Sequence, residues 1–143
     1  MLFTTVLKDD KAFRKCYRQG RYVVCGYLCV YFFPNRTPYN RMGITVTKKN
    51  GNAVVRNRIK RIIRAGYRLN EEKLPIGYDL VFVGRNDIGE KTSADVERFI
   101  MDRLVKEMNK PFEKPKKNYG KAKQSKQKKR ELRKNEISYE TAD

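Results

Sequence analysis

Eight basic residues and no acidic residue lie between positions 48 and 68, and their side chains could bind phosphate groups. A helix predicted over residues 52–69 turns about 100° per residue, which separates its apolar and basic side chains. The apolar arc holds Val55, Ile59, Ile62, Ile63, Gly66 and Leu69, and the opposite arc holds Arg56, Asn57, Lys60, Arg61, Arg64 and Arg68. Solvated helix faces usually mix charges of both signs, whereas this face would repel itself. Guanidinium groups one turn apart suit successive phosphates, so the segment predicts a surface for a polyanion.

The composition favours such a partner and excludes several kinds of active site. The 143 residues include 34 Lys and Arg against 16 Asp and Glu, a net charge of +18, which favours nucleic acid first and a membrane surface second. The chain has no histidine, which excludes a Ser–His triad, histidine acid–base catalysis and a Cys2His2 zinc site. Cys16, Cys25 and Cys29 form no CxxC pair, so we expect core or half-buried thiols in a reducing compartment.

A second set of residues that could do chemistry is aromatic. Phe13 and Tyr17 lie one turn apart on a predicted first helix. Tyr31 lies on a predicted strand, on the same face as Tyr27, Cys29 and Phe33. Their rings could stack unpaired bases while neighbouring arginines such as Arg18 hold the backbone. The same spacing also fits rings that only dock the helix onto a sheet, and both interpretations stay open.

Periodicity and turn residues predict the elements that carry these side chains. Their order is helix, strand, strand, strand, helix, strand and helix. The first helix is capped by Asp9 or Asp10 and ends at Gly20, and the last helix is capped by Ser93 or Asp95. Between them we expect two strands or one bent strand over 22–33, a strand over 41–47, the basic helix over 52–69 and a strand over 78–83. The strand–helix–strand unit over 41–83 implies two parallel strands. The expected fold class is therefore α+β, a sandwich of helices on a small mixed sheet.

The composition changes near residue 108, which divides the chain into a domain over 1–108 and a tail over 109–143. The tail holds 12 Lys and Arg, 5 Asp and Glu and few apolar residues, so we expect it to be disordered, or transiently helical around 121–134, until it meets an anion. The first residues lack the pattern of a secretory signal, and the longest apolar run, 27–33, is too short to span a bilayer. We therefore expect the protein in the cytoplasm.

Residues 48–61, Lys-Lys-Asn-Gly-Asn-Ala-Val-Val-Arg-Asn-Arg-Ile-Lys-Arg, resemble the signature of the bacterial ribonuclease P protein component. That family carries Lys-Lys-x-Gly-x-Ala-Val-x-Arg-Asn-Arg-x-Lys-Arg, the RNR motif. Phe13, Tyr17, Gly20 and Arg21 resemble its first helix, and the strands over 41–47 and 78–83 resemble two of its strands. The resemblance covers residues 8–108 and implies the family's sandwich, with an unusual left-handed βαβ crossover.

The resemblance implies the protein subunit of ribonuclease P, an endoribonuclease ribonucleoprotein that removes the 5′ leader from precursor tRNA. In this family the RNA subunit hydrolyses the phosphodiester bond, using Mg2+ bound mainly by RNA, and no protein residue is catalytic. The expected partners are the catalytic RNA subunit and precursor tRNA, with no membrane or DNA partner. The residues do not indicate whether the protein itself binds metal.

The resemblance also assigns two sets of binding residues. The residues expected to face the catalytic RNA are Lys48, Lys49, Arg56, Asn57, Arg58, Lys60, Arg61, Arg64 and Arg68. The residues expected to line a cleft for the single-stranded leader are Phe13, Tyr17, Tyr31, Thr45 and Thr47. A cationic surface would reduce the repulsion between the two RNAs, and binding should weaken as salt rises because phosphate contacts release counterions.

Two other functions remain open at this point. A structural RNA-binding protein, such as a ribosomal component, would have the same composition, and only the motif argues against it. A self-sufficient metal-dependent nuclease would need clustered acids. The clustered acids of the domain are Asp9 with Asp10, Glu71 with Glu72 and Asp87 with Glu90, which we expect to be caps and solvated surface.

Overall fold

The computed structural model describes residues 1–111, which form a five-stranded sheet with helices on both faces. The strands are β1 (Thr4–Val6), β2 (Arg21–Val24), β3 (Leu28–Pro34), β4 (Asn40–Thr45) and β5 (Tyr78–Gly84). The helices are α1 (Asp10–Gln19), α2 (Ala53–Asn70), α3 (Ser93–Phe99) and α4 (Val105–Met108), with a π-helical turn over Ile100–Leu104 between the last two. Short 3-10 turns lie at Lys48–Asn50, Glu71–Lys73 and Ile88–Glu90.

The sheet is mixed, as the sequence predicts, with the strand order β1-β4-β5-β3-β2. Strand β4 runs parallel to β1 and β5, and β3 runs antiparallel to β5 and β2. Helix α2 connects β4 to its neighbour β5, so the predicted unit of two parallel strands is confirmed. The α+β class is confirmed with it, and the left-handed crossover stays a prediction.

Alternation along the strands gives each face of the sheet its own core. Met42 and Ile44 of β4 point toward α2 and α3, where they join the larger apolar cluster. Gly43 and Thr45 point to the opposite face, which α1 covers. Helices α1 and α2 therefore lie on opposite faces of the sheet, and the chain passes from β4 to α2 through residues 46–52.

Several predicted element boundaries are confirmed. Asp9 caps α1 by accepting a hydrogen bond from the backbone N–H of Lys11, and α1 ends at Gly20. The stretch over 22–33 forms two strands, β2 and β3, with a bend between them. Helix α2 begins one residue after the predicted start and ends at Asn70.

The structure also corrects the predicted elements. Strand β1 was not predicted, because it has three residues and pairs with β4, which is distant in the sequence. The last helix is capped by Thr92, in a capping box with Asp95, and not by Ser93 or Asp95. The π-helical turn interrupts that helix, and the side chains that face the core along this segment are Val96, Phe99, Ile100, Leu104 and Met108.

The predicted tail falls almost entirely on residues 112–143, which lie outside the described residues. Within residues 1–111, no helix combines the length and apolar character needed to cross a bilayer.

Candidate nucleic-acid interface

The loop between β4 and α2 carries two lysines and is fixed by hydrogen bonds of Asn50. The Asn50 amide oxygen accepts a hydrogen bond from the Thr47 backbone N–H at 2.9 Å, and its amide nitrogen donates to the Arg85 carbonyl at 3.2 Å. Gly51 has φ 139°, a backbone conformation that favours glycine. These constraints hold Lys48 and Lys49 exposed, next to the start of α2.

Helix α2 starts at a cap that the motif itself supplies. The side chain of Asn52 accepts a hydrogen bond from the Val55 backbone N–H at 3.0 Å, which satisfies one of the first N–H groups of the helix. No acidic residue lies in the first turn, so the positive end of the helix dipole adds to the charge of the loop lysines.

The exposed side of α2 carries a ridge of four predicted RNA-facing residues. They are Asn57, Arg61, Arg64 and Arg68, spaced at i, i+4, i+7 and i+11. Asn57, Arg61 and Arg68 are exposed, and Arg64 is half-buried. The structure therefore brings these residues together with Lys48 and Lys49 on one side of the protein; we call these six residues the motif surface.

Two residues of α2 do not lie where the sequence places them. Lys60, predicted on the basic arc, is only 6% exposed, and Leu69, predicted on the apolar arc, is 64% exposed. Both deviations arise because the buried arc is rotated by about 60° from the predicted one. Tyr67 causes the rotation: its ring packs edge-on against Phe82 with centroids 5.8 Å apart, and its hydroxyl is 2.8 Å from the Thr4 hydroxyl.

Arg56 lies one turn before Lys60 on the same side of α2. It is half-buried, so it lies at the edge of the motif surface. Its Nε atom is buried. The predicted contacts of Arg56 and Lys60 with RNA stay predictions; Lys60 is less accessible than any residue of the ridge, and Arg56 is half-buried like Arg64.

Arg58 is bound to the protein itself. Its two terminal nitrogens donate to the carbonyl oxygens of Gly89 at 2.7 Å and Lys91 at 3.0 Å. The guanidinium group thereby fastens α2 to the segment that follows β5. The predicted contact of Arg58 with RNA stays a prediction, and both terminal nitrogens already have acceptors.

Four of the five predicted leader-binding residues form a packed cluster between α1 and the sheet. Phe13, Tyr17, Tyr31 and Thr45 are all buried, and Thr47 is half-buried. The Tyr17 hydroxyl is 2.9 Å from the Thr45 hydroxyl, and the Tyr17 and Tyr31 rings meet edge-on with centroids 5.0 Å apart. Gly43 makes this docking possible, since a Cβ atom there would lie 2.3 Å from the Phe13 ring. The rings therefore dock α1, and their contact with RNA stays a prediction.

The accessible ring beside this cluster is Tyr22, which the sequence reasoning missed. Tyr22 is directly opposite Tyr31 in the pairing of β2 with β3, so both rings lie on the α1 side of the sheet, with centroids 5.6 Å apart. Tyr22 is 38% exposed because β2 is an edge strand. The sequence carried a signal for this residue. Side chains alternate between the two faces of a sheet, so pairing β2 with β3 in a hairpin places Tyr22 on the same face as Tyr31.

The acidic side chains are used in local structure. Asp9 caps α1, Glu71 accepts a hydrogen bond from the Leu2 backbone N–H at 2.6 Å, and Asp79 binds Arg41 through both carboxylate oxygens at 2.7 and 2.9 Å. Among residues 1–111, the His, Cys, Asp and Glu side chains form no group of three or more that could hold a metal ion. The acid pairs named from the sequence are therefore not assembled into one site in this part of the chain. Asp9 is a cap, as expected, whereas Glu71, expected to be a cap or on the solvated surface, is buried because it binds the backbone of the N-terminal segment.

The cysteines are buried or half-buried thiols, as predicted. Burial, and secondarily the negative charge of Asp79, raises the pKa of the Cys16 thiol far above its ordinary value. Cys16 therefore stays protonated at neutral pH and is not a nucleophile.

Comparison with known sequences identifies relatives over the described region. The Ribonuclease P family model matches residues 3–109. The chain is 43% identical over 104 residues to the ribonuclease P protein component of Clostridioides difficile (strain 630), covering 72% of this chain and 90% of that protein. It is 40% identical over 102 residues to the ribonuclease P protein component of Alkaliphilus metalliredigens (strain QYMF), covering 71% and 91%.

Solved structures give the same result. The RNase P protein from Thermotoga maritima is 29% identical and superposes with a TM-score of 0.65, covering 73% of this chain and 97% of that one. The Staphylococcus aureus RNase P protein is 27% identical, with a TM-score of 0.64 and the same coverage of 73% and 97%.

Proposed function

The chain belongs to the ribonuclease P protein family, and on this premise we propose how its surfaces serve the ribonucleoprotein. It is a protein component of ribonuclease P, the endoribonuclease that removes the 5′ leader from precursor tRNA together with an RNA subunit. The predicted family is thus confirmed. The ribosomal and self-sufficient nuclease alternatives have no support from the comparisons.

We propose that the motif surface binds the catalytic RNA subunit. The single observation that carries this proposal is the ridge of α2 with the loop lysines, where five cations and Asn57 lie together and α2 contributes no acid. Arg61 and Arg68 are exposed in the described part of the chain, so their guanidinium groups can take phosphate oxygens in pairs.

The 5′ leader is the proposed ligand of the other face of the sheet. Tyr22 offers a partly exposed ring beside the buried Tyr17–Tyr31 pair, and Arg14 and Arg18 lie exposed on one flank of α1. Base stacking of this kind is tolerant of sequence, which suits an enzyme that processes many leaders. The buried rings would then act by holding α1 and Tyr22 in place.

Mg2+ is proposed as a cofactor held mainly by the RNA subunit, which performs the hydrolysis. The protein would assist by reducing phosphate repulsion around that site, so that less Mg2+ is needed. The proposed location is the cytoplasm, and the proposed partners are the catalytic RNA and precursor tRNA, without a membrane or DNA partner.

Reconstitution with the RNA subunit tests the proposal. The full chain alone should cleave no precursor tRNA, and adding it to the RNA subunit should lower the Mg2+ concentration needed for half-maximal cleavage. The double variant Arg61→Gln/Arg68→Gln should need more Mg2+ than the unmodified protein.

The matched control removes the same charge elsewhere. Arg98 and Arg103 are exposed residues of the last helical segment, and Arg98→Gln/Arg103→Gln should leave the Mg2+ requirement unchanged. Equal effects of the two double variants would show that net charge, and not the motif surface, matters. Cleavage by the protein alone would refute the division of labour between protein and RNA.

A further inference from the structure

A second groove flanks α1 on the side opposite the proposed leader cleft. At about 100° per residue, Arg14 and Arg18 lie on one flank of α1, whereas Lys15 and Gln19 lie on the other. The second groove is open, has a volume of about 710 Å3, and is lined among others by Lys11, Lys15, Phe33, Arg36, Arg41 and Asp79. Its floor is one row of the sheet, because Phe33 and Arg41 are both register partners of Asp79.

The groove is separate from the motif surface. Arg41 and Thr45 stand near opposite ends of β4, about 13 Å apart at 3.3 Å per residue. Between them, α1 crosses the sheet, with Phe13 seated over Gly43. A ligand in the second groove therefore contacts neither the loop lysines nor the ridge of α2.

Pairing within the groove leaves a net positive charge. Arg41 binds Asp79 through Nε and Nη2, and the Asp9 carboxylate caps α1, so both acids have local roles. Lys11 and Lys15 are exposed on the α1 wall. The Lys15 ammonium group lies 5.2 Å from the centroid of the Phe33 ring, which places this cation above an aromatic floor.

The opposite wall holds an arginine in a backbone conformation that costs free energy. Arg36 has φ 57°, in the left-handed region that non-glycine residues rarely adopt. The Asn35 side chain enforces this loop: it accepts from the backbone and hydroxyl of Thr37 at 2.9 and 2.8 Å, and donates to Asp79 at 3.0 Å. The loop thus fixes an exposed cation at the rim of the groove.

We propose that this second groove binds a single-stranded RNA segment, with phosphates on Lys11, Lys15 and Arg36 and a base against Phe33. An open groove that combines several cations with one aromatic ring is typical of sequence-tolerant single-strand binding. This inference rests on the proposed function. The shared chemistry is a phosphodiester chain, which comes either from the upstream part of a long leader or from the RNA subunit.

The experiment compares two triple variants of the full chain, each of which removes three positive charges. The groove variant is Lys11→Gln/Lys15→Gln/Arg36→Asn, where Asn tolerates the left-handed conformation, and the control variant is Arg98→Gln/Arg103→Gln/Lys106→Gln. Affinity is measured against salt for the RNA subunit, and for the holoenzyme with precursor tRNAs carrying either a short or a long leader. Circular dichroism verifies that both variants fold.

The groove variant should lower the slope of log affinity against log salt by about 2, because each single-strand phosphate contact contributes about 0.7. A loss confined to the long-leader precursor assigns the segment to the leader, and a loss with the isolated RNA subunit assigns it to that subunit. Slopes equal to those of the control variant in all arms overturn the proposal. Polyglutamate serves as a probe for an acidic protein partner. If the groove variant binds polyglutamate more weakly while its RNA binding is intact, the proposal is overturned as well.

These outcomes leave the proposed function separately testable. If the groove variant behaves as the control while Arg61→Gln/Arg68→Gln still raises the Mg2+ requirement, only the second groove is refuted. If neither variant has an effect, the proposed role of the motif surface is refuted as well.

Discussion

A buried hydrogen bond between Tyr17 and Thr45 joins α1 to strand β4 of the sheet. Both residues are buried, and their hydroxyl oxygens are 2.9 Å apart. Removing one hydroxyl leaves the other buried without this partner, which costs about 1–3 kcal/mol, whereas removing both leaves no orphaned group. We therefore expect Tyr17→Phe and Thr45→Val each to lower the free energy of unfolding by about 1–2 kcal/mol, and the double variant to cost less than their sum.

Urea unfolding followed by tyrosine fluorescence measures these free energies, provided that the m-value stays constant across the set. The double-mutant cycle should give a coupling energy of about 1 kcal/mol or more. Tyr39→Phe is the control, since Tyr39 is an exposed tyrosine, and it should change stability by less than about 0.5 kcal/mol. Strictly additive costs would refute the reasoning, because they would mean that the two hydroxyls do not depend on each other.

Three further predictions concern separate parts of the fold. Gly43→Ala should destabilise the protein by about 1–3 kcal/mol in urea unfolding, because the new Cβ would overlap the Phe13 ring, and adding Phe13→Leu should recover part of the loss; no recovery would contradict this explanation. Arg58→Ala should speed amide hydrogen exchange in residues 85–91, because the fork to Gly89 and Lys91 is lost, whereas Arg61→Ala should not; unchanged exchange in Arg58→Ala would show that the fork does not hold this segment. The Arg21 guanidinium holds the pKa of Glu107 below its ordinary value of 4.5, so the stability from this pair is fully present above that pH and is lost as pH falls through the folded-state pKa. Glu107→Gln should therefore weaken the fall in the free energy of unfolding between neutral and acid pH. The same fall in the variant and the unmodified protein would argue against a stabilising Arg21–Glu107 pair.

The sequence predicted the architecture well where the signals are local. The apolar alternation of β4, the capping residue Asp9 and the long amphipathic α2 each depend on neighbouring residues. Asp9 and α2 lie where predicted, whereas β4 keeps the predicted alternation but ends at Thr45 and not at residue 47, because Thr47 is the N-cap of a 3-10 turn. The parallel pairing of β4 with β5 followed from the helix between them. These features could be predicted because a few consecutive residues determine each of them.

Two of the failures, the missed strand β1 and the rotated buried arc of α2, share one non-local cause. Strand β1 pairs with a strand far along the chain, and its Thr4 hydroxyl meets the hydroxyl of Tyr67. That partner allows a polar residue of α2 to be fully buried, which rotates the buried arc toward Lys60 and leaves Leu69 exposed. A helical wheel that counts only aliphatic residues as core cannot detect such a rotation, because the deciding contact comes from β1.

The candidate site was predictable in composition but not in accessibility. The motif named the cations, yet it could not show that Arg58 is bound to two backbone carbonyls or that Phe13 and Tyr17 have their rings covered. Exposure depends on which elements pack together, and that information is tertiary. The face of Tyr22 could be predicted from strand alternation, but its exposure follows from the position of β2 at the edge of the sheet.

The salt dependence of binding to the catalytic RNA tests the central claim that the ridge of α2 contacts that RNA. Affinities of the unmodified full chain, Arg61→Gln/Arg68→Gln and the control Arg98→Gln/Arg103→Gln are measured over a range of salt concentrations. We expect the ridge variant alone to lower the slope of log affinity against log salt, by about 1.4–1.8 for two lost phosphate contacts. A ridge variant whose slope equals that of the unmodified protein would contradict the account.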